Sequence, residues 1–162
     1  VTMSDFLSGV CPYHADIDEL NILISELPRE HTIVYTYGAW DMLHPGHVIF
    51  LARARALGDF LINGVVADGP IRELKGSRRP FQSQIERIMT SGSLRCVDAV
   101  IGQPEYDPTA LLEALERVDI LTKADDWNHI PGTETIEKLG GKLIKLSYTE
   151  AFSTSNLASM ME

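Results

Sequence analysis

Residues 60–67 read Phe-Leu-Ile-Asn-Gly-Val-Val-Ala and are apolar at nearly every position. A strand with one wet face alternates; a strand without alternation is covered on both faces, as inside a parallel sheet flanked by helices. Upstream lies a β-rich run, 32–37, then a stretch, 48–57, in which Phe50, Leu51, Ala54 and Leu57 share one helical face that Gly58 ends. Strand, helix, strand form a βαβ unit with a right-handed crossover. The pattern recurs downstream: a helix over 83–91, a short strand over 99–101, a helix over 108–117 with Asp107 as N-cap and Pro108 at the first position, and a strand over 120–123. A helix over 134–139, a turn at Gly140-Gly141, a strand over 142–146 and a final helix running to Met161, capped by Ser153 or Thr154, complete it. The fold class is α/β: a single Rossmann-like, doubly wound parallel sheet of five strands, whose ligands belong at the carboxyl ends of the strands.

Residues 1–31 differ from the rest. Ile17, Leu20, Ile24 and Leu27 keep helical spacing, so 16–27 predicts a helix that Pro28 ends. The chain therefore divides into an N-terminal helical extension, 1–31, and the domain that carries the chemistry, 32–162. The longest polar stretch, 68–80, is predicted to be a loop and the natural lid.

The net charge of -9 excludes nonspecific attraction to nucleic acid or to an anionic membrane surface. Against that background the bases are concentrated: Arg72, Lys75, Arg78, Arg79, Arg87 and Arg95 all fall within 72–95. Cys11 and Cys96 match no metal or redox spacing, which fits reduced thiols in a cytoplasmic protein. No apolar run nears the ~18 residues of a membrane span, and no signal-peptide pattern is present. No metal-ligand set belonging to the protein itself is expected.

His44-Pro45-Gly46-His47 stands between the first predicted strand and its helix. Two histidines three apart at a helix start share a face with the unpaired N–H groups of the first turn and the positive end of the helix dipole, which is a place suited to phosphate. Gly46 removes a Cβ where a ligand comes close. Around it, in order, come Tyr37-Gly38-Ala39-Trp40-Asp41, Lys75-Gly76 with Arg79-Pro80, the run Leu94-Arg95-Cys96-Val97-Asp98, Asp125-Asp126-Trp127, and Thr149-Glu150-Ala151-Phe152-Ser153-Thr154-Ser155. Each is expected at a carboxyl strand end or a helix start.

This series resembles the cytidylyltransferase-like branch of the HIGH-type nucleotidyltransferases over about 32–161. Its nearest likenesses there are glycerol-3-phosphate cytidylyltransferase and the adenylyltransferase that activates heptose 1-phosphate. The resemblance implies that an NTP and a phosphorylated small molecule give a nucleotidyl-linked product and pyrophosphate. His44, His47 and Lys75 would be catalytic. Tyr37, Gly38, Ala39, Trp40, Asp41, Gly46, Arg95, Asp125, Asp126, Trp127, Ser153, Thr154 and Ser155 would bind the nucleotide; Asp68, Arg79 and Arg87 would face the acceptor. Mg2+ would enter with the triphosphate, and the relatives' habit implies a homodimer. Asp125-Asp126-Trp127 and the Thr149–Ser155 stretch resemble the cytidylyl side. Lys75-Gly76 with Arg79-Pro80, the 94–98 run and 132–141 resemble the heptose side. Asp-Asp-Trp favours CTP, with ATP and a sugar 1-phosphate as the alternative. Tyr148, where the cytidylyl pattern has arginine, departs from it, so a degenerate nucleotide-binding module and an assembly subunit also stay open.

Overall fold

The structure is a computed structural model that describes residues 2–147. Six strands form one fully parallel sheet: β1 (Tyr13–His14), β2 (Ile33–Gly38), β3 (Phe60–Val66), β4 (Ala99–Gln103), β5 (Ile120–Ala124) and β6 (Lys142–Leu146). Their order is β1-β4-β3-β2-β5-β6. The helices between them are α1 (Met3–Ser8), α2 (Ile17–Glu26), α3 (Pro45–Arg55), α4 (Asp68–Lys75), α5 (Gln84–Gly92), α6 (Thr109–Ala114) and α7 (Thr133–Lys138). From β2 the chain winds outward through β3 to β4, then returns to lay β5 on the other side of β2. The direction of winding therefore reverses between β2 and β5.

β2 is buried at all six positions because it separates two cores. Ile33, Tyr35 and Tyr37 enter one, with Leu20 and Ile24 of α2, Leu112 of α6 and Ile136 of α7. Val34 enters the other, with Leu51 and Ala54 of α3, Ile88 of α5 and Leu7 of α1. This is the period of two that a pleated strand imposes. β3 is buried at all seven positions, as its unbroken apolar run requires.

The sheet has six strands where five were expected. The extra one, β1, pairs Tyr13 with Val100 and His14 with Ile101 along the edge of β4. Two residues carry no alternation to read, so only tertiary pairing reveals it. The helix expected over 16–27 is α2, capped by the Asp16 side chain, which accepts from the Glu19 backbone N–H. Residues 68–80 are not a continuous loop: 68–75 form α4, with Ile71 as its buried anchor. Gly69-Pro70 reads as a breaker, but proline stands in the first turn, where no intrahelical N–H bond is needed. The helix expected over 108–117 ends early. Pro108 is its N-cap, Asp107 Oδ1 accepts from the Thr109 N–H at 2.9 Å, and Leu115 already has extended backbone. The expected final helix, with Tyr148 and the Ser153 or Thr154 cap, lies outside the described residues.

Leu20 is wholly buried between α2 and the sheet. Leu20→Ala should lower unfolding free energy by about 2–5 kcal/mol, the range for a leucine cut back in a closed core. Chemical denaturation measures it; a loss under 1 kcal/mol would mean that α2 packs only loosely.

Candidate functional site

β2 and β5 pair only at Val34↔Ile120 and Tyr35↔Leu121. Beyond that the ladder stops, and two side chains bridge the strands instead. Thr36 Oγ1 donates to the Thr122 carbonyl at 2.9 Å, and Lys123 Nζ donates to the Tyr37 carbonyl at 2.6 Å. The crevice that opens is the switch point of the sheet, where ligands of doubly wound folds bind.

His44 and His47 stand on its β2 side as a capping box made of two imidazoles. Gly46 N–H donates to His44 Nδ1 at 3.1 Å, and His44 N–H donates to His47 Nδ1 at 3.4 Å. The rings stack with centroids 3.8 Å apart. Because each Nδ1 accepts, each neutral ring carries its proton on Nε2; this tautomer follows from the hydrogen-bond network. Burial lowers the pKa of His44, and burial followed by the nearness of His44, Lys75 and Lys123 takes His47 down to about 3. At neutral pH the pair therefore presents two N–H donors and no standing charge.

Trp40 supports this pair from behind. Its ring is buried, packs edge-on to His47 at 5.6 Å, and donates from Nε1 to the Gly64 carbonyl at 3.2 Å. Trp40 and Met42 both have left-handed backbone, φ 54 and φ 48, which costs a non-glycine residue about 1–3 kcal/mol. Asp41 holds this loop to the chain after α4: Oδ2 accepts from the Phe81 N–H at 2.9 Å and Oδ1 from the Gln82 N–H at 3.0 Å. Arg79 lies 3.9 Å from the same carboxylate and 4.2 Å over the Phe81 ring. Asp41 thus shapes the loop beside the histidines.

Lys75 is the last residue of α4 rather than part of a loop. Its pKa is lowered by partial desolvation and then by Arg79, against the pull of Asp41 and Asp126. It also depresses His47, so α4 brings its ammonium within electrostatic reach of both sides of the crevice. Asp126 and Trp127 follow β5 on the far side. Trp127 stacks on Tyr106 at 5.5 Å, and Asp125 N–H donates to the Leu146 carbonyl at 2.9 Å, extending the β5–β6 ladder.

Two arginines stand elsewhere than expected. Arg87 is fully buried, and its guanidinium donates to the carbonyls of Gln82 at 3.1 Å, Ala39 at 2.5 Å and Val66 at 2.8 Å and to Asp68 Oδ1 at 2.6 Å. Arg87 and Asp68 therefore tie α5 to the ends of β2 and β3 and to the start of α4, with the guanidinium turned into protein. Arg95 is exposed in the segment that enters β4 at its amino end. Its neighbour Asp98 accepts from the Leu61 N–H at 2.8 Å and pairs with Arg55 at 2.6 Å, at the far end of α3 from the histidines. The expectation that the 94–98 run stands at a carboxyl strand end or a helix start is corrected by strand polarity: it precedes β4 and enters its amino end. Ser153, Thr154 and Ser155 lie outside the described residues.

Lys123 was read only as the end of a strand, yet it is 7% exposed in the crevice. Its ammonium lies 4.2 Å over the Tyr37 ring and 5.3 Å over Trp127. The signal was a lone lysine inside Ile-Leu-Thr-Lys-Ala, a run otherwise fit for an inner strand. Among the described residues no group of three or more His, Cys, Asp or Glu is placed to hold a metal ion, and no helix is long and apolar enough to cross a membrane.

The cytidylyltransferase-like family model matches residues 35–158, and the chain belongs to that family. The bifunctional protein HldE of Pelobacter propionicus is 35% identical over 97% of this chain and 34% of its own length. That of Nitrosococcus oceani is 40% identical over 82% of this chain and 28% of its own. The chain spans about a third of the length of these curated relatives. Among solved structures, the lipopolysaccharide core biosynthesis protein of Thermoplasma volcanium aligns with TM-score 0.65 and 27% identity, covering 74% of this chain and 99% of that one. A pantoate-beta-alanine ligase of Francisella tularensis shares the fold at TM-score 0.62 and 13% identity, over 91% of this chain and 73% of its own.

Arg87→Leu should cost about 3–5 kcal/mol, because it removes the guanidinium shared by the buried Val66 carbonyl, two part-buried carbonyls and Asp68. Urea denaturation reads this directly, and a change within 1 kcal/mol would show that water replaces the guanidinium.

Proposed function

We propose that this member of the cytidylyltransferase-like family transfers an adenylyl group from ATP to a sugar 1-phosphate of the heptose-phosphate kind, releasing pyrophosphate. The observation that carries the transfer is the histidine capping box at the switch point, with Lys75 in electrostatic reach. The acceptor phosphate is already a nucleophile, so no serine or cysteine is needed. One of its oxygens attacks the α-phosphorus, a new P–O bond forms, and the bond to the pyrophosphate oxygen breaks. The work left to the protein is to bring two anions together and to meet the charge that develops between them.

His44 and His47 suit that work because their donors are fixed in place before the ligand arrives. Each Nδ1 is held by backbone, so each Nε2–H is aimed without reorganisation. Lys75, at the end of α4, supplies positive charge within electrostatic reach of His47. Mg2+ fits the same reading, since it keeps most of its waters and is commonly held through substrate phosphates rather than by a protein cage. When bound it would offset triphosphate charge.

Asp125-Asp126-Trp127 favours CTP by motif alone. The HldE relatives and the lipopolysaccharide core biosynthesis protein among the similar structures favour the alternative, ATP with a heptose phosphate.

Pyrophosphate release measured with four NTPs against a panel of phosphorylated sugars and polyols tests this reading. ATP should exceed CTP by about 10-fold or more in kcat/KM, the discrimination expected of one poorly fitting group. A preference for CTP would restore the cytidylyl reading. His47→Ala should remain folded and lose ~3–4 kcal/mol of transition-state stabilisation, a rate loss of about 10²–10³. Lys75→Met should lower kcat more than ATP affinity, since its charge is needed most as the α-phosphoryl group transfers. Equal loss of affinity with unchanged kcat would make Lys75 an anchor.

A further inference from the structure

We propose that Lys123 is a further catalytic residue, a buried cation held at the switch point to contact the phosphate chain of the nucleotide. The inference rests on the nucleotidyl-transfer reading but not on the choice of base.

Its position is unusual for a lysine. It lies within β5, is 7% exposed, and reaches across the parted strands to the Tyr37 carbonyl at 2.6 Å. That is its sole hydrogen bond among the described residues, and it forms no ion pair there, so two of its three N–H donors have no acceptor among those residues. Around them are aromatic faces: Tyr37 at 4.2 Å, Trp127 at 5.3 Å and Tyr106 at 5.9 Å. Ring faces soften the burial of a cation but do not replace a counter-ion. A buried charge without a counter-ion destabilises a fold, and an uncharged side chain of similar length would be the better structural choice.

The charged groups around it add to the strain. Lys75 from α4 repels it, and Asp126 after β5 attracts it without pairing. His47 from α3 has its own protonation suppressed partly by Lys123 and Lys75. Burial first, then Lys75, brings Lys123 down to about 7 from its ordinary 10.5. Three donor groups that disfavour one another's charge, converging where two strands part, are relieved together only by a polyanion. A triphosphate supplies that. Its arrival raises the pKa of Lys123, so binding above pH 7 draws in a proton, and the ammonium then carries its full charge through bond formation and cleavage at the α-phosphorus.

In the free protein the sign runs the other way. Between about pH 7 and 10.5 the folded state holds fewer protons on Lys123 than the unfolded chain does, so its destabilising effect fades as pH rises through that window.

The test compares wild type with Lys123→Met, which removes charge and donors, and Lys123→Gln, which keeps a neutral donor for the Tyr37 carbonyl. Both should fold. Lys123→Met should match or exceed wild-type stability near pH 6, with any advantage shrinking toward pH 10. Both should lose about 100-fold or more in kcat for pyrophosphate release. Calorimetry with ATP and with inorganic tripolyphosphate at pH 7.5 to 8.5, in buffers of different ionisation enthalpy, should show proton uptake in wild type. Each variant should show less uptake, the remainder coming from Lys75. Near-normal kcat in either variant of an active wild type would overturn the inference alone and leave Lys123 a tie between strands. Unchanged proton uptake in the variants would also overturn it. A wild type that binds neither ATP nor tripolyphosphate would overturn it together with the nucleotidyl-transfer reading.

Discussion

β2 and β5 are hydrogen-bonded for two residues and then part. The rest of the site depends on this short ladder. A longer one would close the sheet where the crevice stands, and none would leave two inner strands joined only by side chains. Right-handed twist turns neighbouring strands away from each other with length, and here no helix crosses directly from one to the other to hold them together. The Tyr37 carbonyl that the ladder abandons must still find a donor. Lys123 is that donor, so the element that repairs the sheet also places a cation in the crevice.

Arg87 solves the matching problem on the other side of β2. The loop after β2, the end of β3 and the segment after α4 all end in carbonyls near the interior. One planar guanidinium satisfies three of them and Asp68 at once. A lysine offers fewer donors and no fork, and could not join four acceptors from four segments in one plane. Asp41 does the complementary task, accepting two backbone N–H groups from the same segment. The loop that leads to the histidines is thereby held through Ala39 and Asp41, on either side of Trp40, whose left-handed backbone is fixed between them.

The sequence made legible whatever follows from local pattern. The apolar run of β3 and the helix expected over 83–91 each announced an element to within a residue, and the helical spacing in α3 to within three. The histidine pair announced itself through spacing at a helix start. What stayed hidden depended on distant partners. β1 is two residues long and exists only because β4 offers an edge. Arg87 was expected to face the acceptor, and nothing local shows that four acceptors within the protein converge on it. Arg95 was misplaced because a motif near a strand says nothing of which end it occupies until strand polarity is set. Lys123 was legible in principle: a charge inside an apolar strand run is a conflict between local pattern and global fold, and such conflicts gather at functional sites.

The electrostatics of the crevice follow from its burial. Histidines that charge easily would attract phosphate but would also repel the two lysines and destabilise the empty fold. By fixing both imidazoles neutral through their Nδ1 acceptors, the backbone keeps their donors and removes their charge. The lysines then supply the cations, with pKa values lowered by desolvation, so the empty crevice carries less charge than its residue types suggest. Phosphate entering the crevice, as proposed, would restore that charge, because each oxygen that approaches favours protonation of Lys75 and Lys123. The low dielectric that makes the empty site costly to charge also strengthens each contact once the triphosphate is seated. Under the proposed transfer, a site built in this way would discriminate by charge density: a single carboxylate would relieve one lysine, whereas a triphosphate would relieve both and leave its remaining oxygens for the two imidazole donors.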